Sequence, residues 1–325
     1  MNKTNLIIIV AGEPYSVFSE ILFKALNHKD VRKLKERIIL ISSIKLIKQQ
    51  MKQLNFNYKI NIIDKDFSNL EIKNKNTINM IDVNFDHQIP FDKITTKSNL
   101  FLENCFKIGL KIMEDKSCAG IITGPISKKH FLKKKFLGIT EYLAEKTKST
   151  NNVAMLIYNK KISICPITTH LPLKDVYKNI TKNKIITQAR LIHDFYIKRF
   201  NKIPKIAVTG LNPHCESNFE TSEEKKIITP AIKFLNKKKY NIHGPFPADT
   251  IFMRENLKKY DVVIGMYHDQ VLTPIKSLVG FDAINITLGL PFLRISPDHG
   301  PNYSMLGKNL SNPQSLIRAL QFITK

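Results

Sequence analysis

Short runs of apolar and β-branched residues recur along the chain, and each of them ends in a turn. They are Leu6–Ala11, Arg37–Ile44, Cys118–Thr123, Lys161–Thr168, Lys205–Thr209 and Asp261–Met266. Nearly continuous apolar runs of this length are typical of strands that are buried on both faces, as in parallel sheets. The pattern therefore predicts a set of buried, mainly parallel strands.

Helical periodicity lies between these runs. Apolar residues recur at helical spacing in Ile180–Phe200, Glu220–Leu235 and Pro313–Ile323. Alternation of strand and helix predicts an α/β fold with helices on both faces of a sheet. Residues 51–97 are polar and rich in Asn and Lys, and there we expect a short antiparallel excursion.

The composition is that of a globular protein. The 325 residues are 43% hydrophobic, which is enough for two modest domains or one large α/β domain. The apolar run Leu6–Ala11 is too short for a signal peptide, and no stretch approaches the roughly 18 apolar residues of a membrane span. We therefore expect a cytoplasmic protein that has no membrane segment.

The formal net charge of +24 could indicate a nucleic-acid binder. Lysines are spread along the whole chain, however, and no zinc finger, RNP pattern or basic zipper is present. A general compositional bias explains the charge better, so no nucleic-acid partner is expected. A diffuse positive field would still steer anionic substrates towards the protein.

The four cysteines, of which none lies in a CxxC pair, are expected to be free thiols. Cys215 lies beside His214, which leaves a metal or redox role open for it.

Three histidines, His170, His214 and His268, each follow the carboxyl end of a predicted strand. Ligands of open α/β sheets bind at that edge, and neutral imidazole is a common ligand of zinc-like ions. Convergence on one divalent ion is one interpretation. Ordinary loop or capping roles are the other, because the spacing is long-range and less specific than a compact motif.

Other polar residues could complete such a site. Asp249 and Asp269, the latter beside His268, could supply a carboxylate near the histidines. Farther on, Arg294 closes the largely apolar run Asn285–Arg294, and a guanidinium offers a bidentate fork for phosphate. A position facing a cleft and a plain surface position both remain open for Arg294.

The segment Gly124–Lys128 follows a predicted strand and could open a helix, with backbone N–H groups offered to an anion. An ordinary strand–turn–helix connection is the preferred interpretation. The chain has no GxGxxG sequence, so spacing alone gives no reason to expect a dinucleotide.

Taken together, several segments resemble the 4-hydroxythreonine-4-phosphate dehydrogenase family, in order and spacing and over nearly the whole chain. These segments are TGP (Thr123–Pro125), TTHLPL (Thr168–Leu173), GLNPH (Gly210–His214), GPFPADT (Gly244–Thr250), MYHDQ (Met266–Gln270), NITLGLPFLR (Asn285–Arg294) and DHG (Asp298–Gly300).

The resemblance implies a fold similar to isocitrate and isopropylmalate dehydrogenases, with two α/β subdomains and a cleft between them. We place the first subdomain at residues 1–125 and 286–325, and the second at residues 126–285. The resemblance also implies a homodimer and binding of NAD or NADP without the usual glycine fingerprint.

By position in the matching segments, His170, His214 and His268 would bind one divalent ion per site, which could be Zn, Mg, Co or Mn. The residues implied to contact a phosphorylated small-molecule substrate are Thr140, Lys276, Asn285 and Arg294. In the family the site is shared across the dimer, and the third histidine and the Lys–Asn–Arg group come from the partner chain.

The implied reaction oxidises and decarboxylates 4-(phosphooxy)-L-threonine to 3-amino-2-oxopropyl phosphate, in the biosynthesis of pyridoxine phosphate. For this chemistry we assign Asp249 as the base that removes the hydroxyl proton, directly or through water. Lys276 would protonate the enolate or hold the carboxylate.

The chain departs from the family at two places in the expected site. Ile139 stands where the family usually has histidine, and Gly12–Glu20 (GEPYSVFSE) lacks two glycines and a proline of the usual loop. Two alternatives therefore stay open. One is a dehydrogenase for a related four-carbon acid phosphate, such as erythronate or threonate 4-phosphate. The other is a catalytically weak binding protein on the same scaffold.

Overall fold

The computed structural model describes residues 6–35, 37–65, 71–73, 76–115, 118–132, 135–150, 152–215, 220–280 and 282–324. Its strands, numbered along the chain, are β1 Leu6–Val10, β2 Arg37–Ser42, β3 Lys59–Ile62, β4 Thr77–Asp82, β5 Gly120–Thr123, β6 Ala154–Tyr158, β7 Ser163–Thr168, β8 Ile206–Thr209, β9 Ile242–Phe246, β10 Val262–Tyr267, β11 Ile284–Leu288 and β12 Arg294–Pro297.

The helices are α1 Phe18–Asn27, α2 Lys29–Arg32, α3 Ile44–Gln53, α4 Asn99–Asp115, α5 Ile139–Lys146, α6 Leu173–Asn179, α7 Lys182–Phe200, α8 Thr229–Lys237, α9 Ala248–Ile251, α10 Arg254–Leu257, α11 His268–Val279 and α12 Gln314–Ile323. One turn of π-helix, Glu224–Ile228, leads directly into α8.

The chain divides into two compact units. Unit 1 contains residues 1–139 and 292–325, and unit 2 contains residues 140–291. The sequence placed the boundaries after residues 125 and 285. In the structure β11 stays with unit 2, because it pairs with β6 of that unit. The chain then returns to unit 1 through β12, which pairs with β5.

The sheet of unit 1 has the strand order β3-β4-β2-β1-β5-β12. Its neighbouring strands pair in parallel throughout. Every residue of β1 is buried, as expected for a parallel strand that is covered on both faces.

The sheet of unit 2 has the strand order β11-β6-β7-β10-β8-β9. β6 pairs antiparallel with β11 and with β7, whereas β7, β10, β8 and β9 form a parallel block. Buried side chains from these strands and from α9 and α11 form the core, among them Met155, Ile157, Ile164, Ala207, Ile251, Val263, Val271 and Ile275.

The structure confirms the predicted α/β architecture and each predicted strand and helix, to within a few residues. The antiparallel excursion expected in residues 51–97 was wrong. The two strands there, β3 and β4, join the sheet in parallel register. The connection from Ile62 to Thr77 is long enough for a parallel crossover, which a tight hairpin could not provide.

Among the described residues, no helix combines the length and the apolar character that crossing a membrane requires.

Candidate active site

The three histidines follow neighbouring parallel strands of unit 2. His170 comes two residues after β7, His268 directly follows β10, and His214 lies in the loop after β8. These strands are adjacent in the order β7-β10-β8. Because the carboxyl ends of parallel strands lie at one edge of a sheet, the three loops share that edge.

Two side chains tie these strand ends together. Thr168 Oγ1 donates to the Met266 carbonyl (2.8 Å), which joins the ends of β7 and β10. Gln270 joins the ends of β10 and β8. Its Oε1 accepts from Thr209 Oγ1 (2.8 Å) and from the Met266 N–H (2.7 Å), and its Nε2 donates to the Gly210 carbonyl (2.8 Å).

Carboxylates lie beside two of the histidines. Asp269 Oδ1 is 2.6 Å from His268 Nδ1, and Asp249 Oδ2 is 3.9 Å from His214 Nδ1. A carboxylate that accepts from Nδ1 favours the tautomer in which Nε2 is free of hydrogen. This pairing is common among metal-binding histidines, whose second nitrogen usually donates to a carboxylate or carbonyl.

The ring centroids of His170 and His268 are 5.6 Å apart. Considering only the described residues of one chain, no group of three or more His, Cys, Asp or Glu side chains is close enough to hold a metal ion. One chain in this conformation therefore brings two of the three histidines together.

The loop that carries His214 is held by Glu224. Glu224 Oε1 accepts from the Leu211 and Asn212 N–H groups (2.8 and 2.9 Å), and Oε2 accepts from Asn212 Nδ2 (2.8 Å). Burial alone would raise the pKa of Glu224, but the hydrogen bonds from Asn212 and Leu211 stabilise the carboxylate and have the larger combined effect. The pKa therefore lies below its ordinary value.

All four cysteines are free, as predicted. Burial raises the pKa of the Cys215 thiol, next to His214. The neutral thiol is therefore favoured over the thiolate, which is the form that binds metals.

Lys276 lies on α11, about two turns after His268. Its side chain is half-buried, and burial lowers the pKa of its ammonium group. A lysine whose pKa is shifted in this way is suited to proton transfer.

Asn285 and Thr287 alternate along β11 and therefore point to the same face of the strand. Thr287 Oγ1 lies 3.5 Å from Thr140 Oγ1 on α5. Asn285 Oδ1 is buried and has no hydrogen-bond partner among the described residues. Unit 2 therefore contains a polar patch, formed by Thr140, Asn285 and Thr287, with a buried acceptor in it.

Arg294 begins β12 in unit 1 and is only 1% exposed. Its guanidinium donates from Nε (3.1 Å) and Nη2 (2.6 Å) to Thr123 Oγ1, at the carboxyl end of β5. Thr123 therefore fixes the position of the guanidinium.

The loops after β1 and β5 pack backbone against backbone. A Cβ on Gly12 would lie 2.4 Å from the Pro125 carbonyl oxygen, and one on Gly124 would lie 2.0 Å from that of Ala11. The Ser127 N–H donates to Glu13 Oε1 (3.0 Å) and is not available to an anion. Residues 125–127 are irregular and residues 128–131 form turns, so no helix opens at this loop, contrary to the expectation.

The two departures from the family lie in unit 1. Tyr15, Val17 and Phe18 of the first loop are buried, and the Tyr15 ring packs edge-on against Phe85 at 5.5 Å. The core of unit 1 therefore accommodates the bulk of this loop. Ile139 is half-buried at the start of α5, directly before Thr140.

Similarity to known proteins decides which family the chain belongs to. A family model described as the pyridoxal phosphate biosynthetic protein PdxA matches residues 34–323. The chain belongs to the PdxA family.

Individual relatives agree. A 4-hydroxythreonine-4-phosphate dehydrogenase from Sulfurihydrogenibium sp. is 39% identical over 317 residues, which cover 96% of this chain and 95% of the relative. A protein from Oceanobacillus iheyensis, provisionally named a D-threonate 4-phosphate dehydrogenase, is 30% identical and covers 98% of this chain and 97% of its own.

Solved structures support the fold. The crystal structure of a 4-hydroxythreonine-4-phosphate dehydrogenase from Klebsiella pneumoniae is similar with a TM-score of 0.83 and 27% identity, over 98% of this chain and 99% of that one. A β-decarboxylating dehydrogenase from Thermococcus kodakarensis shares the fold at 10% identity and a TM-score of 0.52, over 97% of this chain and 82% of its own. The predicted isocitrate dehydrogenase-like fold is thereby confirmed.

Three residues that hold the histidine loops or line the polar patch were not identified from the sequence: Glu224, Gln270 and Thr287. Gln270 belongs to the MYHDQ segment, and Thr287 to the NITLG segment. Those segments were noticed for their histidine and asparagine. Glu224 is an acidic residue in a lysine-rich helical region, where a solvent-exposed role is the ordinary expectation.

Proposed function

We propose that the chain is a 4-hydroxythreonine-4-phosphate dehydrogenase that depends on a divalent metal and on NAD or NADP. The observation that carries the proposal is the row of histidines at neighbouring parallel strand ends, two of them with carboxylate partners, in a chain of the PdxA family. The reaction is the oxidation and decarboxylation of 4-(phosphooxy)-L-threonine to 3-amino-2-oxopropyl phosphate, a step of pyridoxine phosphate synthesis.

His170, His214 and His268 would hold the metal. Neutral imidazoles suit zinc or cobalt, and manganese and magnesium, which prefer oxygen ligands, are the remaining candidates. A divalent ion bound there would lower the pKa of the substrate hydroxyl and withdraw charge from the carbonyl oxygen that forms from it. Asp269 would orient His268 through its Nδ1 atom, whereas Asp249 lies 3.9 Å from His214 Nδ1, beyond hydrogen-bond distance.

Proton transfers are assigned to Asp249 and Lys276. Asp249 follows β9, the strand next to β8, and its exposed carboxylate can take the hydroxyl proton directly or through water. A bound oxidised nicotinamide would accept the hydride from the carbon that carries the hydroxyl group. The ketone so formed is β to the carboxylate, so carbon dioxide can leave, and the Lys276 ammonium returns a proton to the carbon that lost it.

Substrate binding is assigned to Thr140, Asn285, Lys276 and Arg294. The buried Oδ1 of Asn285 can accept from a substrate amine or hydroxyl, because it has no partner among the described residues. The Arg294 guanidinium, fixed by Thr123, supplies positive charge for the phosphate or the carboxylate.

The working enzyme is proposed to be a cytoplasmic homodimer with shared sites. The described part of one chain gathers no three ligands by itself. A third ligand supplied by the partner chain would complete the set, as the family resemblance implies.

A second candidate substrate is threonate 4-phosphate or erythronate 4-phosphate. It is favoured by Ile139, which removes a polar group from the expected site, and by the likeness to the Oceanobacillus protein. A hydroxyl in place of the substrate amine would still satisfy the Asn285 acceptor.

The test is a comparison of rates. Purified protein is given NAD or NADP, one of the four metals, and either 4-(phosphooxy)-L-threonine, threonate 4-phosphate or erythronate 4-phosphate, and formation of reduced cofactor is followed. The proposal predicts the highest kcat/KM on 4-(phosphooxy)-L-threonine and none after treatment with a chelator. Preference for a phosphate that lacks the amine would establish the second candidate, and binding without turnover would indicate a binding protein.

A further inference from the structure

The loop that follows β8 and carries His214 and Cys215 adopts an unfavourable backbone conformation, which contacts with other residues must stabilise. His214 and the next residue, Cys215, both have φ of 56°, in the left-handed region. That region is unfavourable for residues that carry a Cβ atom. Contacts outside the loop must therefore hold it in place.

Glu224 provides these contacts. Glu224 is 3% exposed, and its carboxylate accepts from two consecutive backbone N–H groups and from the Asn212 amide. Within the loop, the Cys215 N–H donates to the Asn212 carbonyl at 3.2 Å. Asn212 is therefore bonded both to Glu224 and across the turn that contains His214.

Glu224 lies on the π-helical turn Glu224–Ile228, which continues into α8. Glu223, directly before this turn, also accepts from Asn212 Nδ2 (3.0 Å). The position of the His214 loop is therefore coupled to a helix that packs in the core, where Ile228, Ala231 and Leu235 are buried.

We propose that Glu224 is a positioning residue for His214, which presets the loop so that the imidazole can bind metal. The inference rests on the proposed function in one respect, that His214 is a metal ligand. A carboxylate is required because all three groups that face it are N–H donors. A glutamine would turn its own NH₂ group towards Asn212 Nδ2, so that two donors face each other.

The experiment measures Co²⁺ binding to the purified protein, by its visible absorption, together with the unfolding midpoint of the metal-free protein. The variants are Glu224→Gln and His214→Ala. The matched control is Glu220→Gln, which removes an exposed carboxylate that is paired with Lys225 in the same segment.

Glu224→Gln is expected to weaken Co²⁺ binding about tenfold or more, in the range typical for residues that orient metal ligands. Glu220→Gln should bind as the wild type does. A purely structural role for Glu224 would lower the unfolding midpoint and leave the Co²⁺ affinity of the folded protein unchanged, and that result would overturn the inference.

The His214→Ala variant separates the two proposals. If it binds Co²⁺ as tightly as the wild type, His214 is no ligand, and the metal assignment and the inference fall together. If it loses Co²⁺ while Glu224→Gln binds normally, only the inference is wrong. Should Glu224→Gln not fold, Asn212→Ala removes the Nδ2 bonds to Glu224 and Glu223 and leaves both backbone N–H bonds to Glu224 in place. It is expected to weaken binding about threefold, a smaller loss of the same kind; unchanged binding would overturn the inference.

Discussion

At residue 139, an isoleucine occupies a position at which the family usually has histidine. The side chain is half-buried at the start of α5, next to Thr140, and it can neither donate a hydrogen bond nor carry charge. The neighbouring polar patch keeps its threonines and Asn285. The isoleucine therefore leaves no polar contact available at residue 139, while the patch beside it keeps its own polar groups.

Replacing Ile139→His should restore that contact. On 4-(phosphooxy)-L-threonine we expect kcat/KM to rise by about one to two decades, because a hydrogen bond to a charged group is worth about 1.5–3 kcal/mol. Ile139→Leu, which restores no polar group, is the control and should leave the rate nearly unchanged. A loss of activity in the histidine variant would show that the pocket is built around isoleucine and would favour a different substrate.

Lys276 gives a prediction about pH. Burial lowers the pKa of its ammonium group, and the proposed proton donation requires the charged form. The kcat/KM should therefore be constant below this lowered pKa and fall as the pH rises through it. The fall should begin at a lower pH than the ordinary pKa of a lysine would give.

The Lys276→Arg variant keeps its charge over the whole accessible range. It should be slower than the wild type but should lose the alkaline fall. Lys258→Met, at an exposed lysine paired with Glu255, is the matched control. An unchanged alkaline fall in Lys276→Arg would assign it to another group.

Among the secondary-structure elements, the parallel block of unit 2 is held at its carboxyl edge by side chains rather than by the sheet alone. Gln270, two residues after His268, makes three hydrogen bonds to groups at the ends of β8 and β10. A helix residue therefore sets the spacing of two loops that carry histidines.

Replacing Gln270→Leu removes these bonds and leaves the buried Met266 N–H without its acceptor. We expect the free energy of unfolding to fall by about 2–3 kcal/mol, measured by urea denaturation. Thr209→Val removes only the hydroxyl bond and should cost about 1 kcal/mol. Equal stability of Gln270→Leu and the wild type would mean that the strand ends are held by the sheet and not by this side chain.

Strands that the sequence predicted, such as β1 and β7, are buried along their whole length, and such burial leaves a continuous apolar run. The strands β3, β4, β6, β9, β11 and β12 were not predicted; KINI in β3 is half polar, and IHGPF in β9 contains Gly244 and Pro245. β3 and β9 each lie at an edge of the sheet, where apolar runs are not required.

For the candidate site, the sequence identified the residues that follow strand ends but not those that hold them. His170, His214 and His268 stand out because each terminates an apolar run. Glu224 and Gln270 act on backbone groups, and the partner of Gln270 at Thr209 is 61 residues away. A backbone N–H has no signature in the sequence, so such contacts appear only in the structure.

For the whole molecule, two arrangements of the metal site are distinguished by whether its histidine ligands come from one chain or from two. The family resemblance assigns the third histidine to the partner chain. Within one chain His170 and His268 already lie 5.6 Å apart, which is the competing arrangement. The two arrangements differ in which pairs of variants can rescue each other.

Mixing His170→Ala chains with His268→Ala chains distinguishes them. If each site combines His170 of one chain with His268 of the other, a heterodimer retains one intact site and should recover part of the activity that both variants lack. A mixture of His170→Ala with His214→Ala chains, whose residues would come from the same chain, serves as the control and should recover nothing. Absence of recovery in the first mixture, with heterodimers shown to form, would place each site within a single chain.

The most direct measurement of the proposed activity is the stoichiometry of one reaction. Metal-loaded protein is given 4-(phosphooxy)-L-threonine and oxidised cofactor, and both reduced cofactor and carbon dioxide are quantified. Oxidation followed by loss of the β-carboxylate predicts equal amounts of the two, with 3-amino-2-oxopropyl phosphate as the remaining product. Reduced cofactor without carbon dioxide, or neither product from this substrate while threonate 4-phosphate is consumed, would contradict the assignment.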